Sequence, residues 1–347
     1  MLTVRPLPLV ILGIALLAAS LSAQEEPSAC YVAVSEIRML DEAQWADARG
    51  LFRGVAAKDG FAYVVSQADL LYVFDLRAIP DGDGETLVRI DQPAAEIPLR
   101  RGNCNGVLRD EDRLYVYGWS GGEIFDVSDA AHPVEIGSFR DSDERIFHLV
   151  KHGDFLVAAC HERVVVYSET MLPEHPVVAY SLVMEPRVQA NRVCVVGDRL
   201  CVCGSRLRSS GATEHWLGIW EVTDFIRPIL LQMTKASPCD TQLISHDGCL
   251  LRIAGGGAEL WQADGTELTL LDCETSLGCA FAIDGDDVVF DGGSLKVADG
   301  RIERLCSFEA HPDPFYDGFP SVGVATDGLV LLPRSRSILI LRCESGS

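Results

Sequence analysis

The sequence predicts an all-β fold, a seven-bladed β-propeller of four-stranded antiparallel blades. Three observations carry that expectation. Short runs of apolar, β-branched and aromatic residues alternate with tight polar turns along almost the whole chain. A unit of such strands recurs seven times, its third strands spaced 36 to 53 residues apart. A lone strand lies ahead of the first unit, while the seventh unit has no fourth strand of its own.

Each unit opens with a strand that runs into a turn. These read Gly54–Gly60, Gly106–Asp112, His148–Gly153, Cys194–Asp198, Leu243–Gly248, Phe281–Gly285 and Val324–Gly328. Asp-Gly, Gly-Asp and their relatives supply the positive φ angles that tight hairpins need. A second strand follows at once, then a third that is richest in branched and aromatic residues. Fourth strands are expected at Thr86–Ile90, Val134–Phe139, Val177–Leu182, Ile229–Met233, Glu267–Leu271 and Ile302–Phe308. The early strand Tyr31–Ile37 is expected to complete the seventh blade, which closes the ring and removes an exposed sheet edge. Antiparallel pairing there would set Cys30 opposite Cys343, a disulfide expected to stabilise the ring by about 2–4 kcal/mol.

The chain of 347 residues divides into a leader, 1–23, and one propeller domain, 24–347. Arg5, an apolar run from Leu7 to Ala19 and the small residues up to Ala23 have the three-part form of an export signal. The run is short for a membrane span and no other segment would cross a bilayer, so the protein is expected to be periplasmic or extracellular and not membrane-spanning. Pro27 and the polar stretch before Cys30 argue against lipid attachment there. The formal net charge is −22, which repels phosphate backbones and excludes nucleic acid as the expected partner. The 12 cysteines do not follow a metal-site spacing. Cys201 and Cys203 share one strand face and are the nearest approach to a chelate, but the cysteines read first as buried thiols packed like small hydrophobes, with zinc a minor alternative.

The turn after the third strand carries the most specific motif. Unit two reads Glu123-Ile-Phe-Asp-Val-Ser-Asp129, then His132-Pro133; unit four reads Ile219-Trp-Glu-Val-Thr-Asp224, then Arg227-Pro228; unit one has Val73-Phe-Asp-Leu76. Elsewhere Tyr167-Ser-Glu, Trp261-Gln-Ala-Asp and Val297-Ala-Asp stand in its place. This resembles the LVIVD-repeat proteins, exported β-propellers. The resemblance implies a propeller and an extracytoplasmic location, and it implies no reaction. The motif itself reads as structural, with Asp or Ser capping the turn and Pro ending strand pairing.

Candidate sites follow from loop lengths. First-to-second turns are tight, whereas the connections between units are long, as in Asp91–Asn103, Arg140–Arg145, Met184–Asn191 and Glu309–Pro320. In a four-stranded meander those connections share a face with second-to-third loops such as Arg206–His215, so one face is decorated. The polar residues that enter the innermost strands, Arg53, Asn105, His148, Asn191, Gln242 and Ser321, would line the channel mouth there, either as a converging site or as the ordinary polarity of a water-filled channel. The loop bearing His311, Asp313, Phe315, Tyr316, Asp317 and Phe319 reads as a ligand loop or as a cap packed over the last blades. Asp81, Asp83 and Glu85 look like a small calcium loop or an exposed Asp-Gly turn.

The expected function is a binding or scaffold module for a protein, peptide or glycan on the decorated face. The alternative is a propeller hydrolase, lactonase or lyase with His148, Arg53 and a bound cation at the channel mouth. A third reading makes the ring only a structural or oligomerisation module. Acids and histidines converging at the mouth would favour the enzyme, and an aliphatic mouth would favour binding.

Overall fold

The computed structural model describes residues 30–38, 52–67, 69–79, 88–90, 92–140, 145–184, 188–223, 228–236, 242–254, 257–264, 266–275, 281–290, 293–307, 323–334 and 337–344. The leader, the 309–320 loop, Ser321 and the 81–85 turn lie outside them.

The chain is a seven-bladed propeller. Blade one is built from Phe52–Lys58, Phe61–Ser66, Leu70–Asp75 and Ala95–Pro98. Blade two has Cys104–Asp110, Arg113–Gly118, Gly121–Asp126 and Val134–Phe139; blade three has Ile146–His152, Phe155–Cys160, Arg163–Ser168 and Val177–Val183. Val188–Val196, Arg199–Leu207, Thr213–Glu221 and Ile229–Lys235 form blade four; Gln242–His246, Cys249–Ala254, Gly257–Asp264 and Glu267–Thr275 form blade five. Blade six is Phe281–Asp284, Asp287–Phe290, Gly293–Ala298 and Arg301–Ser307. Blade seven takes Val324–Thr326, Leu329–Pro333 and Ser337–Glu344 from the end of the chain and Cys30–Arg38 from its start.

The turns form as their residues dictate. Both central residues of Asp59-Gly60, Asp247-Gly248 and Asp327-Gly328 have positive φ, the geometry that matches the right-handed twist of a hairpin. The Asp-Val-Ser-Asp stretch of blade two caps its own turn. Ser128 N donates to Asp126 Oδ1 at 2.8 Å and Ala131 N to Asp129 Oδ1 at 3.1 Å. Arg77 N repeats the pattern on Asp75 Oδ1 in blade one at 3.0 Å. The motif ends strands, as its residue types imply.

The core is distributed as apolar clusters in the gaps between neighbouring blades. Val157, Val166, Val193 and Trp220 join blades three and four, and Phe74, Ile340 and Ile37 join blade one to blade seven. Each wedge buries both faces of a blade, which is why middle strands such as Phe61–Ser66 are buried at every residue. The N-terminal strand is further fixed to blade six, where Tyr31 Oη lies 3.2 Å from both Asp284 Oδ2 and Asp287 Oδ2.

Two details correct the sequence expectation. Val88–Ile90, within the expected fourth strand of blade one, pairs in parallel with the N-terminal strand and forms the outer edge of blade seven. Ala95–Pro98, expected as loop, is the fourth strand of blade one. The segment thus bridges the blades at both sides of the ring closure. The closing register also differs by one residue: Cys30 pairs with Glu344, and Tyr31 with Cys343. A bulge between Ala33 and Ser35 shifts that register. The side chains of Cys30 and Cys343 lie outside the described residues.

Candidate binding site at the channel mouth

The first strands of blades one to four share a device. Each carries a β-bulge near its start, and the extra residues are Arg53, Asn105, Phe147 and Asn191. A bulge leaves one residue outside the ladder and re-aims its side chain. All four line a central cavity of about 670 Å³, together with His148 and Gln242. Five of the six residues expected at the mouth therefore meet in one cavity, and Ser321 lies outside the described residues. The expected position in blade three was His148. The bulge makes Phe147 the counterpart of Arg53 and Asn105, and His148 follows it.

Asn105 and Arg145 form the best-defined corner. Asn105 Nδ2 donates to the Ile146 carbonyl at 2.6 Å, and Arg145 Nη2 donates to Asn105 Oδ1 at 2.8 Å. The Arg145 guanidinium sits 4.9 Å from the Trp119 ring centroid and 4.7 Å from that of Phe147. Cation–π contact on two rings holds it in one orientation. Burial lowers the Arg145 pKa, and the nearby charges of Arg53 and Arg192 lower it further. Three guanidinium groups are thus close enough to oppose one another. Trp119 is 51% exposed at the second-to-third turn of blade two, so it faces solvent beside the mouth.

His148 is buried and serves packing. Its Nδ1 lies 3.0 Å from the Val193 carbonyl oxygen. Burial, helped by the Arg192 charge and opposed by bonds to Val193 and Gln242, lowers its pKa to about 3, so the ring is neutral at physiological pH. Tyr117 also lines the cavity, its hydroxyl over Gly106, where any Cβ would collide with it. Blade four adds Ser205, Thr213 and His215. The strands flanking the second-to-third loop 206–215 run into it and leave a hairpin tip, with Arg208 N donating to the Ala212 carbonyl at 2.9 Å.

The lining has one charge sign. Arg53, Arg109, Arg145, Lys151 and Arg192 contribute to it, and among the described residues no Asp or Glu does. The mouth is therefore neither the acid-and-histidine cluster nor the aliphatic funnel that the sequence left open. Reasoning from sequence missed Arg145, Arg192, Trp119 and Phe147. The available signal was that arginines recur at the starts of inner strands in a chain of net charge −22.

Other groups are placed away from the mouth. A second cavity of about 610 Å³ beside Trp119 also holds arginines, but these have partners. Arg100 Nη2 is 3.1 Å from Glu135 Oε2, and Arg101 Nη1 donates to the Ser120 carbonyl at 2.9 Å. His246, Asp247 and Asp286 gather at the turns of the opposite face, where His246 Nε2 lies 3.0 Å from the Val297 carbonyl oxygen. Among the cysteines, Cys104, Cys160, Cys194 and Cys201 are buried and not disulfide-bonded.

No family model matches the chain, and no curated protein matches it. Solved structures do. The WD40 β-propeller domain of Doa1 superposes with a TM-score of 0.58 at 11% identity, over 90% of this chain and 97% of that one. The computationally designed Ika8 protein gives 0.56 at 10% identity, covering 90% and 100%. The N-terminal domain of Nup159 gives 0.53 at 9%, covering 91% and 96%. At these identities the likeness establishes the fold alone.

Proposed function

We propose that the protein is an exported β-propeller that binds a protein, peptide or glycan partner across its loop-bearing face. The carrying observation is the channel mouth, where a half-exposed Trp119 stacks on a fixed Arg145 at the rim of an arginine-bearing cavity. Exposed tryptophan and oriented arginine are the side chains that most often dominate binding energy. Export rests on the leader-like first 23 residues and on the LVIVD resemblance. Nothing in the described lining favours the hydrolase, lactonase or lyase reading, since His148 is buried with its Nδ1 against the Val193 carbonyl and no carboxylate joins it.

The test is a screen of the full chain on peptide and glycan arrays, repeated with Trp119→Ala and with Asp154→Ala on the opposite face. The reading expects ligands whose binding falls at least about tenfold with the first variant and holds with the second. Ligands lost only with the second variant would overturn it.

A further inference from the structure

We infer that the channel mouth is a receptor for an oxyanion-bearing ligand, one that presents carboxylate or phosphate groups to Arg53, Arg145 and Arg192. This rests on the binding reading above and gives it a chemistry.

The charge distribution is the first argument. Acids outnumber bases in this chain by 51 to 29, yet the described cavity lining carries five basic residues and no acid. The two ends of the channel then differ. Lys151, toward the plain face, is paired with Glu169 and lies 3.8 Å from Asp110, and Arg109 Nη1 donates to the Glu111 carbonyl. At the loop-bearing end the groups that hold Arg145 are neutral, namely Asn105, Trp119 and Phe147.

Unspent hydrogen-bonding capacity is the second argument. Arg145 Nε is a buried donor with no hydrogen-bond partner among the described residues. A buried N–H on a charged group is costly to leave unmet, and a carboxylate or phosphate oxygen would satisfy it. Asn191 Oδ1 is likewise a buried acceptor with no partner there, suited to a hydroxyl on the ligand.

Size is the third. A cavity of about 670 Å³ lies in the range of small-molecule sites and exceeds what a single ion fills. Guanidinium groups recognise planar carboxylates and phosphates through paired N–H donors, so three of them at one mouth select a ligand with more than one anionic group. The repulsion of the acidic surface makes a polyanionic macromolecule a poor fit, and a small anion or a short acidic terminus a good one.

The experiment is calorimetric titration of the full chain with citrate, pyrophosphate and sorbitol. The expected result is saturable binding of citrate or pyrophosphate that weakens as sodium chloride is raised, and none of sorbitol. Tighter citrate marks a carboxylate site and tighter pyrophosphate a phosphate site. Arg145→Gln and Arg192→Gln should each weaken binding at least about tenfold, while Arg208→Gln, exposed and ion-paired elsewhere, leaves it unchanged. If Arg145→Gln unfolds the protein, Arg192→Gln alone decides. No saturable binding of either anion at millimolar concentration overturns the inference, as does binding insensitive to Arg192→Gln. Array ligands that still depend on Trp119 would in that case preserve the binding reading, so the two fail separately.

Discussion

Acid should loosen this propeller through one buried imidazole. His148 is 8% exposed, and its pKa falls from an ordinary 6.5 to about 3 in the folded protein. The unfolded chain therefore binds a proton between those values that the folded chain refuses. The stability associated with the neutral ring is complete above pH 6.5 and is lost as pH falls toward 3. Each pH unit in that window costs about 1.4 kcal/mol, so moving from pH 7 to pH 5 removes roughly 2 kcal/mol. The chain is also strongly acidic, and protonation of its carboxylates acts on stability at the same time. The comparison that isolates His148 is therefore between the protein and His148→Gln, which keeps an amide for the Val193 carbonyl and cannot titrate. Urea denaturation of both at pH 7 and pH 5 should show the difference between them shifting by roughly 2 kcal/mol in favour of the variant at the lower pH. Equal pH slopes would refute the placement of His148 as a buried, neutral ring.

Three further outcomes follow from the same geometry. Glu123 is buried, and desolvation raises its pKa above 4.5 despite the N–H donated by Arg101. Stability is therefore lost as pH rises from 4.5 through the folded value, and Glu123→Gln should raise the melting temperature at pH 7, with no rise counting against it. At Gly54 a Cβ would lie 2.8 Å from the Val107 backbone nitrogen of the neighbouring blade. Gly54→Ala should cost about 1–3 kcal/mol in chemical denaturation, because backbone cannot move aside as a side chain can. Burial raises the thiol pKa of Cys104 and of Cys194 to about 12 each. Iodoacetamide at mildly alkaline pH should label exposed Cys273 first and these two only after unfolding.

The fold was legible because its rules are local. Asp-Gly and Gly-Asp turns fix hairpin boundaries within a few residues in six units, Asp110-Glu-Asp112 does so in the other, and seven recurring units leave a ring as the solution. What failed to show depends on distant pairing. Val88–Ile90 and Ala95–Pro98 are both short strands, and local pattern does not tell which edge each will join. The bulges were hidden for a related reason. One extra residue in a ladder is set by twist and by the partner strand, so blade three presents Phe147 where the alignment of units pointed to His148. The cationic mouth was masked by the average. Arg53, Arg145 and Arg192 stand far apart in a chain of net charge −22, and only the closed ring brings them together.

The most direct test of the account is the response of individual arginine side chains to an anion. Nε–Hε correlation spectra, assigned through arginine variants and recorded while citrate is added, report each guanidinium separately. The account predicts that the signals of Arg53, Arg145 and Arg192 move together and saturate, while those of Arg77 and Arg208, ion-paired on the surface, stay in place. Movement confined to the surface arginines, with the three at the channel mouth unchanged, would contradict it.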